Sequence, residues 1–500
     1  MASILLILKN VYEQSMRLTS VYMFFFLTIV LSAKAQYSFQ WKKFFGYSTL
    51  FEASSIALTP EGNILIIGLT RDKGHHTLIQ KITPQAEVIW SKSLSNHKTV
   101  VSRKVIVLPD SSIVLVGYMR DWEDTKENIW LAKLDSNGTL LWERAYYQFG
   151  YSIGVDVKMT KDKGFIIAAN KFVVEDNNFD WLVLKVDSLG FIQWYKTSGT
   201  RFNDNLNAVA ILPNSFYVVG GFVSQNRGGQ KVLAVLVYDS LGEEVAYNEF
   251  RNLGFSEAMD IIATEDSEIV IVGFKIDSFY LHDIVVLKLD QQTNVIWEKV
   301  YNMTLRQIPF SMIQTFNKNF VIIYNILLGE IPYADIGILE IDPQGNIVFS
   351  RLMRSNSDDF VAQVTELKDN SLALLTTNFI IGRGWVIGLT KCKSKFSTDL
   401  IFLFPKKKFI STKQDLVNIK ACVKTYMKPK KIDVYVNNKK IETITNFTLV
   451  PQKNCAFAFE IKLKLNFGLN IIKFETTDYK DFKFVRKRVI IYIPLPEKFW

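Results

Sequence analysis

Two residue types recur at fixed spacing in this chain, and both have chemistries of their own. Lys133-Leu134-Asp135-Ser136-Asn137-Gly138 precedes Trp142, Lys185-Val186-Asp187-Ser188-Leu189-Gly190 precedes Trp194, and Lys288-Leu289-Asp290 precedes Trp297. A row of exposed Trp would be a stacking platform for sugar rings, and a row of Asp a source of calcium ligands. A calcium loop, however, needs several oxygens on one loop, as in Asp-x-Asp-x-Asp-Gly. Each segment here offers one Asp beside Ser and Gly, which suits a tight turn. An aromatic at one position of every repeat is a packing element between neighbouring sheets. The sequence thus assigns Trp41, Trp90, Trp142, Trp194, Trp297 and Phe349 to packing. It assigns Asp135, Gly138, Asp187, Gly190, Asp239, Gly242, Asp290, Asp342 and Gly345 to turns.

Other chemistry is sparse. His75, His76, His97 and His282 are the only histidines and show no ligand spacing. No Gly-x-Ser-x-Gly, His-Glu-x-x-His or phosphate loop is present. No catalytic residue, metal site or cofactor is expected from these patterns. A glycosidase would need two carboxylates roughly 5–9 Å apart. The 49 acidic residues neither exclude nor locate such a pair.

The elements that position these residues follow from the period. Anchors at Lys81, Lys133, Lys185, Val237, Lys288 and Glu340 lie 51 or 52 residues apart. Ahead of each anchor two apolar runs flank a turn at Asp, Asn or Gly, and this hairpin occurs seven times, from Ile56–Gly68 to Val364–Asn378. A third strand ends in Lys-Leu-Asp and a fourth carries Trp. Four antiparallel strands per repeat make a propeller blade. The fourth-strand positions are 41, 90, 142, 194, 246, 297 and 349, with Ala246 and Phe349 in place of Trp. Trp41 precedes the first hairpin, and Val386–Lys391 is a seventh, degenerate third strand. The predicted fold is all-β: a seven-bladed β-propeller over residues 37–395, closed by its N-terminal strand, followed by a small β-sandwich.

The runs Ile129-Trp130-Leu131-Ala132-Lys133-Leu134-Asp135 and Asp180-Trp181-Leu182-Val183-Leu184-Lys185-Val186-Asp187 resemble the secreted propeller repeats of Bacteroidota-type bacteria, over residues 38–391. The resemblance implies a fold and little about function, because propellers host unrelated activities. Leu-Asp-x-x-Gly-x-x-x-Trp also resembles repeats of quinoprotein dehydrogenases and of the propeller scaffold that assists outer-membrane protein assembly. Those rings usually have eight blades, and no quinone-site residues match, so this likeness implies binding rather than redox chemistry. The Asp-box hairpin of sialidases does not fit, since Asp135 and Trp142 are one residue too far apart.

The ends of the chain carry address and charge. Met16-Arg17, an apolar run from Val21 to Leu31 and Ala33-Lys34-Ala35 read as a secretory signal over residues 1–35, with Met16 a possible true start. No later run reads as a spanning helix. Residues 400–500 hold 21 Lys or Arg against 8 Asp or Glu. Alternating strands there fit an immunoglobulin-like sandwich over residues 400–496, with a hairpin turn at Asn437-Asn438. The run Leu465–Ile472 resembles a turn of bacterial surface sandwich modules. Cys422 and Cys455 are a possible disulfide in an oxidising compartment, with Cys392 left over. The basic domain suits an anionic cell-surface component more than nucleic acid.

The expected function is a secreted, extracellular or cell-surface binding protein, with a periplasmic location as another possibility. Its propeller face would take a glycan or protein, and its sandwich would space or attach it. The alternative is a carbohydrate-active enzyme, a glycosidase or lyase, at the channel mouth. Facing carboxylates across a deep pocket would favour the enzyme; a mouth of Ser, Asn and aliphatic groups would favour binding.

Overall fold

The computed structural model describes residues 37–492 except 46–50, 71–75, 95–98, 122–125, 227–228, 278–280, 303–305, 329–332, 354–357, 381–382, 395–398, 405–408, 413–415, 425–430, 447, 453–454, 467 and 478–482. The segment assigned to the secretory signal, residues 1–35, lies outside the described residues. Runs rich in Val, Ile and aromatics form strands throughout, as their branched side chains favour. Among the described residues there is no α-helix, and no helix is long and apolar enough to cross a membrane.

Successive groups of four antiparallel strands form sheets. Their first strands are Phe51–Leu58, Thr99–Val107, Ser152–Met159, Asn205–Ile211, Ser256–Ala263, Arg306–Gln314 and Asp359–Glu366. Sheets are numbered one to seven in this order. A single parallel bridge, His76 to Val100, joins sheets one and two. Sheet seven draws its fourth strand from the other end of the chain: Tyr37–Phe45 pairs with Gly384–Ser394. Consecutive first strands pack against one another, and that of sheet seven packs against that of sheet one. The arrangement is compatible with a β-propeller.

One cross-strand pair recurs in all seven sheets: Lys81–Trp90, Lys133–Trp142, Lys185–Trp194, Val237–Ala246, Lys288–Trp297, Glu340–Phe349 and Lys391–Trp41. A slip of one residue would turn every side chain to the wrong face. Apolar cores lie between neighbouring sheets: Val116 and Leu131 of sheet two meet Phe165 and Leu184 of sheet three.

The C-terminal region has two sheets around one core. Val417, Ile419, Phe459 and Ile461 of one face Ile432, Val434, Ile472 and Phe474 of the other. Asn437 and Asn438 have φ of 48° and 69°, the left-handed geometry of a two-residue hairpin turn. The strands Lys439–Ile444 and Thr448–Gln452 belong to different sheets, so the chain crosses the core between them.

Candidate functional site

The recurring Asp, Gly and Trp meet at the outer rim. Asp135 accepts from the backbone N–H of Asn137 and Thr139 at 2.9 and 2.7 Å. Asp187, Asp239, Asp290 and Asp342 repeat that pattern on the residues two and four ahead. At Asp135 these bonds, chiefly that from Thr139, hold the carboxyl below its ordinary range. Gly190 closes its turn at φ +82°. The Gly and Trp of one motif do not touch each other; each meets the neighbouring sheet. A β-carbon added at Gly138 would lie 2.8 Å from Trp90, at Gly190 3.0 Å from Trp142, and at Gly242 2.9 Å from Trp194. At Gly345 it would lie 3.2 Å from Trp297. Where Ala246 stands for Trp, the facing turn carries Thr293 instead of Gly. Trp41 packs on a core containing Ala86, and Phe349 on the core between sheets six and seven.

A second ring of positions lines the inside. Every first strand has a register break at one place, just before Ser55, Lys104, Asp156, Ala208, Asp260, Ser311 and Gln363. Such bulges disturb the ladder and leave backbone groups to be satisfied elsewhere. Gln363 accepts from the N–H of Ile56, and Ser55 from that of Val105, each in the next sheet. Lys104 has no acceptor and Ala208 no polar group, so each following sheet supplies its own. Asp156 accepts from its neighbour Val157 at 2.8 Å and from Val209 at 3.1 Å. Asp260 accepts from Ile261 at 2.9 Å and from Met312 at 2.9 Å. Lys158 and Lys104 sit 2.9 and 3.9 Å from Asp156. Burial raises the Asp156 carboxyl, but Lys158 and Lys104 outweigh it and leave the group below its ordinary value. At Asp260 burial prevails over Lys104, and that carboxyl is pushed up.

Beside this belt, at the N-terminal part of the first strands, is a cavity of about 1060 Å³. Six aromatics line it: Tyr118, Tyr151, Phe179, Phe310, Phe360 and Trp385. Phe179 stands edge-on to Tyr151 and Phe172 at 5.1 and 5.3 Å between ring centres. On sheet seven, Trp385 packs on Phe360 and Phe379 at 5.7 and 5.3 Å. The Arg103 guanidinium lies 5.9 Å from the Tyr118 ring centre. Asn170 is occupied, bonding both the N–H and the carbonyl of Leu206. Asn207 is held by Glu257 and Ala258. Asn205 and Ser54 have no side-chain partner among the described residues. Among the described residues of the lining, Glu52 and Arg103 are the only acid and base.

The remaining sequence candidates lie elsewhere. His282 stacks on Phe274 at 5.0 Å, and His75 and His97 are outside the described residues. No cluster of three or more metal-ligating side chains occurs among the described residues. Cys392 is a buried free thiol that burial pushes up to about 12. The side chains of Cys422 and Cys455 are outside the described residues. Their backbones are out of register by three positions, Cys422 being opposite Ala458. That offset is roughly 10 Å along a strand, against a usual Cα separation of about 4.4–6.8 Å in a disulfide. The belt and the mouth aromatics escaped the sequence reading. Asp156 and Asp260 were visible as acids in the middle of first strands, whereas the mouth residues share repeat positions but no residue type.

No known protein-family profile matches the sequence, and no curated protein sequence matches it. Among solved structures, a protein of unknown function from Dyadobacter fermentans is similar at 12% identity and a TM-score of 0.42, over 72% of this chain and 100% of that one. The β-propeller domain of the Trilobed protease from Pyrococcus furiosus is similar at 10% and 0.44, over 72% and 100%. Puromycin hydrolase is similar at 9% and 0.46, over 74% of this chain and 58% of that one. Likeness at this level says nothing of activity.

Proposed function

We propose that this chain is a secreted or cell-surface binding protein that presents its mouth cavity to a glycan or protein. In this reading the seven sheets, over residues 37–395, are the blades of a ring closed by Tyr37–Phe45, of the Bacteroidota type. Residues 1–35 direct secretion, and an immunoglobulin-like sandwich over residues 400–496 spaces or attaches the ring through its basic surface. The observation that carries the reading is the cavity's make-up among the described residues: aromatic rings, amides and aliphatics, with Glu52 the single carboxylate. Most glycosidases hydrolyse with two facing carboxylates.

The enzyme reading has one observation in its favour: Asp156 and Asp260 have been driven in opposite directions from their ordinary values. Their carboxylate oxygens, however, already accept backbone N–H groups. Similar structures include hydrolases and suit either reading. A glycan array probed with the purified chain, scored for both binding and cleavage, separates the two. Binding without cleavage is expected. Cleavage that disappears in Asp260→Asn would replace the binding reading with the enzyme.

A further inference from the structure

We propose that the mouth cavity takes an uncharged oligosaccharide, gripped between the aromatic groups of sheets three and seven. The inference rests on the binding reading above and names its ligand. Phe179 and Tyr151 come from sheet three, and Phe360 and Trp385 from sheet seven. Three sheets lie between them in one direction round the packing order and two in the other, so the groups approach the cavity from different sides. A sugar ring offers an apolar C–H face and an edge of hydroxyls. Aromatic faces suit the first. The second needs groups that both donate and accept, as an amide or hydroxyl does. Asn205 and Ser54 are such groups, in the lining and without partners among the described residues.

Charge and size narrow the class. Among the described lining residues one acid and one base, Glu52 and Arg103, balance each other and offer no excess of positive charge to hold a polyanion. Arg103 is engaged with Tyr118. A volume of about 1060 Å³ is at the upper end for small-molecule sites, so it suits several linked rings better than one. Affinity for anionic glycans, where present, belongs to the basic region 400–500.

The test is calorimetric titration of the full chain with neutral hexasaccharides (cello-, xylo-, manno- and malto-series), with oligogalacturonate as the anionic arm. Phe179→Ala and Trp385→Ala are compared with the parent, each checked by thermal unfolding. Asn205→Ala, which loses no internal bond, serves if an aromatic variant misfolds. The expected result is binding of a neutral series, weakened about tenfold or more in the variants, with oligogalacturonate affinity unchanged. Neutral binding unaltered in all folded variants overturns the site and leaves the binding reading intact. Failure of every neutral series, or capture of an extended peptide that is lost in the same variants, overturns the ligand class. Cleavage of the bound series overturns the binding reading itself.

Discussion

The rim and the mouth of this molecule are made of the same strands, yet they differ in how much they repeat. At the rim, five Asp turns make the same two backbone bonds, and four Trp rings each cover a Gly turn of the next sheet. At the mouth, the unpaired residues of the bulges themselves include Ser54, Arg103, Val155, Asn207, Phe310 and Ala362. Repetition marks a job that every sheet shares, namely packing against its neighbour. Variety marks a surface that faces something other than another sheet. Between the two, the inner belt repeats in backbone geometry but not in side chain, and it compensates locally where Lys104 and Ala208 cannot accept a bond.

The largest effect is expected in that belt. Asp156→Ala leaves the N–H groups of Val157 and Val209 unmatched and removes the nearest anion from Lys104 and Lys158, with Asp260 remaining in their field. A loss of about 3–5 kcal/mol is expected in urea unfolding at pH 7. Asp156 is held below its ordinary value when folded, so its stabilisation is present above that value and fades as pH falls through it. The penalty of the variant therefore shrinks in acid. A penalty constant down to pH 3 would break the comparison, by making the belt inert to charge.

The rim comes next. Gly190→Ala puts a β-carbon 3.0 Å from Trp142 at φ +82°, and should cost about 1–3 kcal/mol. In a Trp142→Ala background the clash with the indole is relieved while that with the Arg144 side chain remains, so a double-mutant cycle should show partial coupling. Additive effects would mean that the cross-sheet contact does not matter. The reverse experiment starts from the sheet pair that lacks the contact. Ala246→Trp alone should destabilise by about 1–2 kcal/mol, and adding Thr293→Gly should recover part of that loss. No recovery would sever the link between those two positions.

The smallest effect concerns Asp180, on sheet three. Burial, helped by Asp204 and Asp176, pushes its carboxyl up to about 6. The folded state thus favours the protonated form, and this contribution is lost as pH rises from the ordinary value of 3.8 towards 6. Asp180→Asn should stabilise the protein at pH 7.5 by about 1 kcal/mol, solvent screening included, with the gain gone at pH 3.5. A destabilised variant at pH 7.5 would show that Asp180 holds its surroundings in charged form.

The period of 52 residues was enough to place four strands in each repeat and to pair Trp41 with the last sheet, because strand registry leaves a regular trace in sequence. The partner of each Trp was less legible. Gly138 and Trp142 are neighbours in one motif, yet the first meets Trp90 and the second meets Gly190. The trace of that contact is the coincidence of Ala246 with Thr293, which a count of motifs passes over. The belt left only two isolated acids, and the bulges that create its need are a property of pairing, not of composition. Phe179 and Trp385 share one repeat position, six residues ahead of Lys185 and Lys391, but Glu127, Lys231, His282 and Ala334 stand there in other sheets, so the period did not single the aromatics out.

The most direct test sets one rim variant against one mouth variant in the same two assays. Trp142→Phe and Trp385→Ala are each measured for unfolding free energy and for affinity towards the best neutral oligosaccharide. Trp142→Phe should lower stability and keep affinity, while Trp385→Ala should keep most stability and lose affinity about tenfold or more. Equal loss of affinity in both, or full affinity in Trp385→Ala, would contradict the division of the molecule into a repeated frame and a binding mouth.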